Sequence, residues 1–449
     1  MSRNNLTFRG GIDLKGLKEL TQDKPIEKAT EPKTVYIALH QHVGGICKAL
    51  VKRNDEVKVG QKIGESDVHL TAPVHSSVSG VVKKIDKIYT PDGYRVDCVE
   101  IESDGLNELH ESIKPKGDLE SLSNEEIVDI IKEAGIVGLG GASFPTHVKM
   151  IASEEAGVDT VILNGSECEP YLTCDHRTML EKSDLVVYGM EVLMRYFNGE
   201  KGYIGIEDNK MDAIEKMDEV LRGKDKLETA NLKAKFPQGD SYRMIDSILG
   251  RIVPQGGRCK DVGVIVNNVG TAVAIAEAIL DGKPLYERVI TVSGDCIKEP
   301  KNLLVKIGTT VGDILEQCGG FTKKPGKIIA GGPMTGYTQF SLDTPIIKGT
   351  TGIVVLSEES TVPEKVLPCI KCGKCIEVCP ANLEPLYISA NILHVNPDNE
   401  RGRLEEAEKL NALACIECGS CSYICPAKRP LTEAIVHAKR EINANRKTS

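Results

Sequence analysis

The chain has no tryptophan, and its aromatic residues amount to only 4% of the total. Single-stranded nucleic acid is gripped by stacking on aromatic rings, so that class of ligand finds almost no platform here. The positive charge that a duplex would demand is missing too. There are 56 Lys and Arg against 65 Asp and Glu, a net charge of −9, which excludes a large phosphate-binding footprint. Long apolar runs are also absent: the longest such tract, Val262 to Leu280, is broken by Asn267, Asn268 and Glu277. No segment reads as a membrane-spanning helix. The opening Met1-Ser2-Arg3-Asn4-Asn5-Leu6 has no apolar h-region, so the expectation is a non-secreted protein in a reducing compartment. Its fifteen cysteines then need an explanation other than disulfides.

What the chain does have is length, glycine and clustered cysteine. At 449 residues it is about three times the ~150 residues of a single domain, so several cores are expected. Apolar residues at 41% with charged residues at 27% describe an ordinary globular protein. The 43 glycines imply tight turns or backbone that approaches a ligand closely.

Eight cysteines fall between Cys369 and Cys425 in a duplicated pattern. Cys369-x2-Cys372-x2-Cys375-x3-Cys379-Pro380 is followed by Cys415-x2-Cys418-x2-Cys421-x3-Cys425-Pro426. Three thiolates at this spacing wrap one face of a cubane cluster, and the fourth cysteine of each run ligates the other cluster, as in bacterial ferredoxins. The expected quartets are therefore Cys369, Cys372, Cys375 and Cys425 for one [4Fe–4S] cluster, and Cys415, Cys418, Cys421 and Cys379 for the second. Two structural zinc sites are the alternative, but zinc usually takes separated C-x2-C knuckles. Between the runs, Leu383, Leu386, Ile388, Ile392 and Leu393, then Leu404, Ala407, Leu410 and Leu413 recur at near-helical spacing, predicting two helices parted by Asn396-Pro397-Asp398-Asn399. A further helix is expected from Leu431 to Ile442, with Lys439 to Lys447 as its solvated, charged end.

Upstream, Ser123-Asn124-Glu125-Glu126 forms a capping box for a helix that Gly135 ends. Val158 to Leu163, Gly202 to Ile206, Asn231 to Phe236 and Val262 to Val266 read as short buried strands between amphipathic helical stretches, which predicts a parallel α/β sheet. Ligands bind at strand ends in such sheets. Three polar segments are candidates: the loop Gly138-Leu139-Gly140-Gly141-Ala142-Ser143-Phe144-Pro145-Thr146 with Lys149 beyond it, the strand end Asn164-Gly165-Ser166-Glu167-Cys168-Glu169-Pro170, and Asn267-Asn268-Val269-Gly270-Thr271. Glycines let backbone N–H groups approach phosphate, and Lys149 can add charge. On residue type alone, the loop is equally a plain connection and the Asn pair equally a helix cap.

Taken in this order, with Gly239 to Arg251 and the cysteine runs behind them, these segments resemble the flavin- and NADH-binding subunit of respiratory complex I. They are more closely similar to the C subunits of Rnf electron-transport complexes, through Phe236-Pro237-Gln238-Gly239 and the duplicated ferredoxin run. The resemblance spans nearly the whole chain and implies FMN, NAD(H) and two [4Fe–4S] clusters. It assigns Gly138, Gly140, Gly141 and Lys149 to the FMN phosphate, and Asn164, Asn267, Asn268 and Thr271 to the ribityl chain and ring. Phe144 would stack near the nucleotide, with Glu167, Glu169 and Asp240 in its cavity. Ser166 replaces an Asp of the complex I pattern, and Gly239-Asp240-Ser241 stands where that pattern has Gly-Glu-Glu.

The resemblance also implies a multidomain α/β architecture. An N-terminal arm (1–34) is followed by a barrel-sandwich, lipoyl-like domain (35–115), a parallel-sheet, Rossmann-like FMN/NADH domain (119–285), an SLBB β-grasp domain (286–358) and an α-helical ferredoxin domain (359–449). The lipoyl-type swinging lysine is missing, since Glu65-Ser66-Asp67-Val68-His69-Leu70 stands in its place. His40-x-His42 near Cys47 is placed on a strand face, as a metal site or, more simply, as core histidines. The implied function is that of an electron-entry or exit subunit lying peripherally on the cytoplasmic face of the inner membrane. It would work with other membrane-complex subunits, with NADH and indirectly with ferredoxin, and with no nucleic acid. A flavin and iron–sulfur cobalamin reductase, or an iron–sulfur adaptor lacking a nucleotide site, are the competing readings.

Overall fold

In a computed structural model, which describes residues 3–362, 364–393 and 400–448, the central unit is a five-stranded, all-parallel sheet. Its strands run in the order Arg3–Leu6, Leu227–Leu232, Lys201–Glu207, Thr160–Gly165, Val264–Asn268. Thr160–Gly165 is almost entirely buried, as its run of β-branched and aliphatic residues requires of an inner parallel strand. The helices Ser183–Phe197 and Val269–Leu280 cover one face. They approach so closely at Gly189 that a Cβ there would lie 2.1 Å from the Ala272 carbonyl oxygen, so only glycine fits.

Two strands differ from the sequence reading. Asn231 to Phe236 is not one strand: the sheet takes Leu227–Leu232, and Phe236 instead exchanges backbone hydrogen bonds of 2.9 and 2.8 Å with Ile12. The last strand begins at Val264 rather than Val262, because Gly263, at φ +73°, closes a 3-10 turn over Cys259–Val262. It continues through Asn267 and Asn268, which brings both amides to the sheet's C-terminal edge. The capping box at Ser123 is present, with Glu126 reaching back to the Ser123 N–H at 2.7 Å.

Thr34–Ala38, Arg95–Ser103, Gly80–Tyr89 and Glu56–Val57 form one sheet of the barrel-sandwich unit, and Lys48–Ala49, Lys62–Glu65 and Val74–His75 the other. The β-grasp unit is a six-stranded sheet, Tyr337–Thr338, Pro325–Ala330, Gly352–Ser357, Glu287–Ser293, Lys301–Lys306, Ile26–Lys28. It has its own core of Ile290, Val292, Leu303, Val305, Ile314 and Val355. Residues before Thr34 thus lend edge strands to two sheets. Nothing in their composition signals this, because each strand is only three or four residues long.

The C-terminal unit is helical: Lys374–Glu377, Pro385–Leu393, Glu400–Lys409, Ser420–Ile424 and Leu431–Thr448. The duplicated runs make duplicated structure, with Gly373 and Gly419 both at φ +79° ahead of the short helices. The expected break at Asn396-Pro397-Asp398-Asn399 lies outside the described residues. His40 and His42 fall beyond the strand Thr34–Ala38 rather than on it. His42 accepts from Ala72 N–H through Nε2 at 3.0 Å and contacts the Val43 carbonyl through Nδ1. Burial lowers its pKa to about 4, so it is a neutral core imidazole.

Candidate cofactor sites

At the C-terminal edge of the parallel sheet, Asn164 pairs in register with Asn268, and Leu163 with Asn267. The glycine loop lies over this edge. It is closed by Gly138 N–H to the Phe144 carbonyl at 2.9 Å and pinned to the neighbouring helix by Leu139 N–H to Thr271 Oγ1 at 2.9 Å. Gly140 rests on Asn268, whose Nδ2 would stand 2.7 Å from a Cβ, whereas a Cβ on Gly141 would meet no atom within 4 Å. Asn268 caps the helix Val269–Leu280 by accepting from Gly270 N–H at 2.8 Å, and donates to Asp175 Oδ2 at 2.7 Å. Asn164 donates to the Gly239 carbonyl at 2.8 Å. Beside it, Asp240 caps the helix Ser241–Leu249.

The structure brings Gly140, Asn164, Asn268 and Thr271 into one neighbourhood and uses other candidates differently. Lys149 donates to the Val266 carbonyl at 2.6 Å, and desolvation lowers its pKa to about 8. Phe144 is half-buried. Glu167, at φ +47°, accepts from the Asp175 and His176 N–H groups at the start of the helix Cys174–Glu181. Glu169 accepts from Met334 N–H and Thr335 Oγ1 in the β-grasp unit.

Three residues here were not foreseen. Lys18 donates to the carbonyls of Glu167, Glu169 and Leu172 at 2.8, 3.0 and 2.6 Å, and Lys210 donates to Ser166 O at 2.6 Å. Asp175 is pushed up to about 7 by burial first and Glu167 second, against the Asn268 hydrogen bond and Arg288. Only Asp175, shortly beyond the polar strand end that closes at Pro170, carried any sequence hint. Lys18→Ala would leave three carbonyls without their donor. We expect it to cost roughly 1 to 3 kcal/mol for each buried group left unpaired and to speed amide exchange across residues 167–172. An unchanged denaturant midpoint would refute this.

The fit of a polar ligand is tested by the atoms left without partners. Asn267 is 3% exposed, yet neither its Oδ1 nor its Nδ2 is hydrogen-bonded, and the fully buried Ser166 Oγ is likewise unpaired. Such groups are costly unless a partner completes them. An isoalloxazine and ribityl chain, with alternating donors and acceptors, supplies that chemistry, so these residues fit a flavin.

The cysteines gather into two cavities. One is lined by Cys379, Cys415, Cys418 and Cys421, the other by Cys369, Cys372, Cys375 and Cys425. Among the described residues, no three His, Cys, Asp or Glu side chains close on a single ion position. Each quartet instead surrounds a space, as a cluster with iron at its corners requires. The repeats share their sulfur hydrogen bonds, Lys371 N–H to Cys369 Sγ and Glu417 N–H to Cys415 Sγ, both at 3.4 Å. The first of these cavities is the inner one. Gly11 N–H reaches the Val378 carbonyl at 2.8 Å, and Arg243, from the helix that Asp240 caps, donates to the Pro380 carbonyl. Lys439, read from sequence as solvated, is instead committed to this quartet, donating to the Cys415 carbonyl at 2.6 Å. The other quartet faces outward, with Cys369 and Cys372 exposed and Ile370 69% exposed.

A nucleotide-type parallel sheet with an orphaned buried amide, Asn267, at its edge, joined to a helical cage of two thiol quartets, defines an iron–sulfur flavoprotein of the electron-transfer class. Family models agree segment by segment: an RnfC barrel sandwich hybrid domain over residues 6–106, a Nuo51 FMN-binding domain over 131–277, an SLBB domain over 289–338 and a 4Fe-4S dicluster domain over 361–426. The chain is 46% identical to the C subunit of the Na(+)-translocating ferredoxin:NAD(+) oxidoreductase complex of Acetobacterium woodii, over 98% of both chains. It is also 46% identical to the proton-translocating counterpart of Clostridium ljungdahlii, over 85% of this chain and 84% of that one. With the C subunit of the ion-translocating oxidoreductase complex of Rhodobacter capsulatus it shares 37%, over 98% and 84%. In fold it is similar to a chain of an air-oxidized NAD+-reducing [NiFe]-hydrogenase, at 18% identity and a TM-score of 0.50, over 73% of this chain and 68% of that one. This chain belongs to the family of C subunits of ion-translocating ferredoxin:NAD+ oxidoreductase complexes. Among its described residues, no helix is long and apolar enough to cross a membrane.

Proposed function

We propose that this chain is the NAD(H)-linked subunit of such a complex, passing electrons between NAD(H), FMN and two [4Fe–4S] clusters. It would lie peripherally on the cytoplasmic face of the membrane against its partner subunits. The observation that carries the reading is the inner thiol quartet, held against the sheet edge where Asn267 is left unpaired. The domain limits proposed from sequence, 35–115, 119–285, 286–358 and 359–449, go with this reading.

When bound, the flavin supplies the conversion between a two-electron hydride and single electrons, and the clusters supply one-electron sites. The chain's own work is binding and orientation. Backbone N–H groups of Gly140 and Gly141 offer donors to a phosphate, while the Gly138 N–H closes the loop on the Phe144 carbonyl. Asn164, Asn267, Asn268 and Thr271 complete the polar edge of the ring and ribityl chain. Phe144 offers a stacking face, and Lys149 a positive charge close to the strand end. Glu167 and Asp240 hold the two helix starts that frame the cavity. No acid or base is required of them, since positioning and exclusion of water suffice.

The test is anaerobic purification followed by mixing with NADH. The protein should contain about eight iron and eight acid-labile sulfide per chain. NADH should bleach both flavin and cluster absorption, with NADPH the poorer donor because carboxylates repel a 2′-phosphate. Flavin-replete protein that NADH cannot reduce would overturn the proposal.

A further inference from the structure

The turn Gly331-Gly332-Pro333-Met334-Thr335-Gly336 joins the β-grasp strands Pro325–Ala330 and Tyr337–Thr338, and it lies between Glu169 and the inner thiol quartet. On one side, Glu169 accepts from Met334 N–H at 3.0 Å and from Thr335 Oγ1 at 2.5 Å. Gly332 is so close that a Cβ there would lie 2.3 Å from Glu169 Oε2. On the other side, the turn meets the inner quartet: a Cβ on Gly419, next to Cys418, would lie 3.2 Å from the Met334 carbonyl oxygen and 3.4 Å from Met334 Cε. The turn is braced internally by Gly336 N–H to the Gly332 carbonyl at 2.8 Å and from outside by Gly331 N–H to the Gly352 carbonyl at 2.8 Å. Burial raises the pKa of Glu169, offset in part by Thr335 and Met334. The carboxylate is therefore already committed to the β-grasp turn.

We infer that Glu169 is a positioning residue that, through the Gly331–Gly336 turn, fixes the inner quartet Cys379, Cys415, Cys418 and Cys421 relative to the sheet edge, and is not a nucleotide ligand. The inference rests on the reading of the chain as an NAD-linked flavin and iron–sulfur protein. In this role Glu169 exchanges neither proton nor electron. It acts only on the geometry across which single electrons pass, and electron transfer slows as donor and acceptor move apart.

The experiment compares Glu169→Ala, Glu169→Gln and Thr335→Val in the full, cofactor-loaded chain, by anaerobic rapid mixing with NADH. Flavin and cluster bands are followed separately. In Glu169→Ala, flavin bleaching should keep its wild-type dependence on NADH while cluster bleaching slows severalfold. Glu169→Gln keeps a carbonyl acceptor for Met334 and should recover part of the rate. A second readout needs no turnover: amide exchange at residues 331–336 and 418–420 should speed up together in Glu169→Ala. If that variant does not retain its cofactors, Thr335→Val, which removes one donor from the exposed side, carries the same comparison. A raised KM for NADH with cluster reduction keeping pace would make Glu169 a nucleotide ligand and overturn the inference, as would unchanged exchange in the turn. Failure of NADH to bleach even the wild-type flavin would instead strike the functional reading, and the exchange result would still decide the role of Glu169.

Discussion

Gly140→Val should yield protein that keeps both iron–sulfur clusters and has lost its flavin. The first added atom would already stand 2.7 Å from Asn268 Nδ2 and 3.0 Å from its Cβ and Cγ, closer than non-bonded atoms approach. Asn268 cannot easily give way, because it caps the helix Val269–Leu280 and holds Asp175. Two further methyl groups must then push the loop off the sheet edge, and the N–H groups it offers to a phosphate go with it. Gly141→Ala separates loop damage from ligand contact. A Cβ there meets nothing in the chain within 4 Å, so the unfolding midpoint should not move, while flavin retention falls if the backbone approaches the ligand at that point. Full flavin occupancy in Gly140→Val would remove the glycine loop from the site.

Cys425→Ala should cost the cluster held by Cys369, Cys372 and Cys375, although Cys425 belongs to the second cysteine run. Its thiol lines the cavity of the first three, and Cys379 lines that of Cys415, Cys418 and Cys421. Iron content should fall from about eight to about four per chain. The surviving signal should be that of the inner cluster, and Cys379→Ala should give the reverse. Loss of the cluster near Cys415 in Cys425→Ala would show the fourth ligands to be assigned the wrong way round.

Features fixed by local chemistry could be read from the sequence. The duplicated C-x2-C-x2-C-x3-C-P run specifies its own geometry, and the short apolar run Val161 to Leu163 forms the buried strand it suggests. Contacts over long sequence separations were hidden. Asn231 to Phe236 looked like one strand because apolar alternation does not record that Phe236 pairs with Ile12. The resemblance placed Glu169 in the nucleotide cavity, and nothing local in the sequence records that its partners are an N–H and a hydroxyl more than 160 positions away. Lys18 and Lys439 gave no signal either. A lysine aimed at backbone carbonyls has the same composition as one aimed at water.

The edge strands drawn from the first thirty residues bear on how the protein is made. Arg3 pairs with Ala230, and Ile26 with Asn302. At cellular translation rates, Arg3 emerges roughly 10 to 45 seconds before its partner. Until then the early segments have nothing to close on, and closure depends on pairings of high sequence separation, which form slowly. A flavin unit expressed from residue 119 onward would fold with the edge of Leu227–Leu232 uncovered. It would present unpaired backbone groups on which a second copy could add. Dissection of this chain into its four units is therefore expected to produce aggregation in the flavin fragment, and co-expression of residues 1–34 as a separate peptide should relieve it.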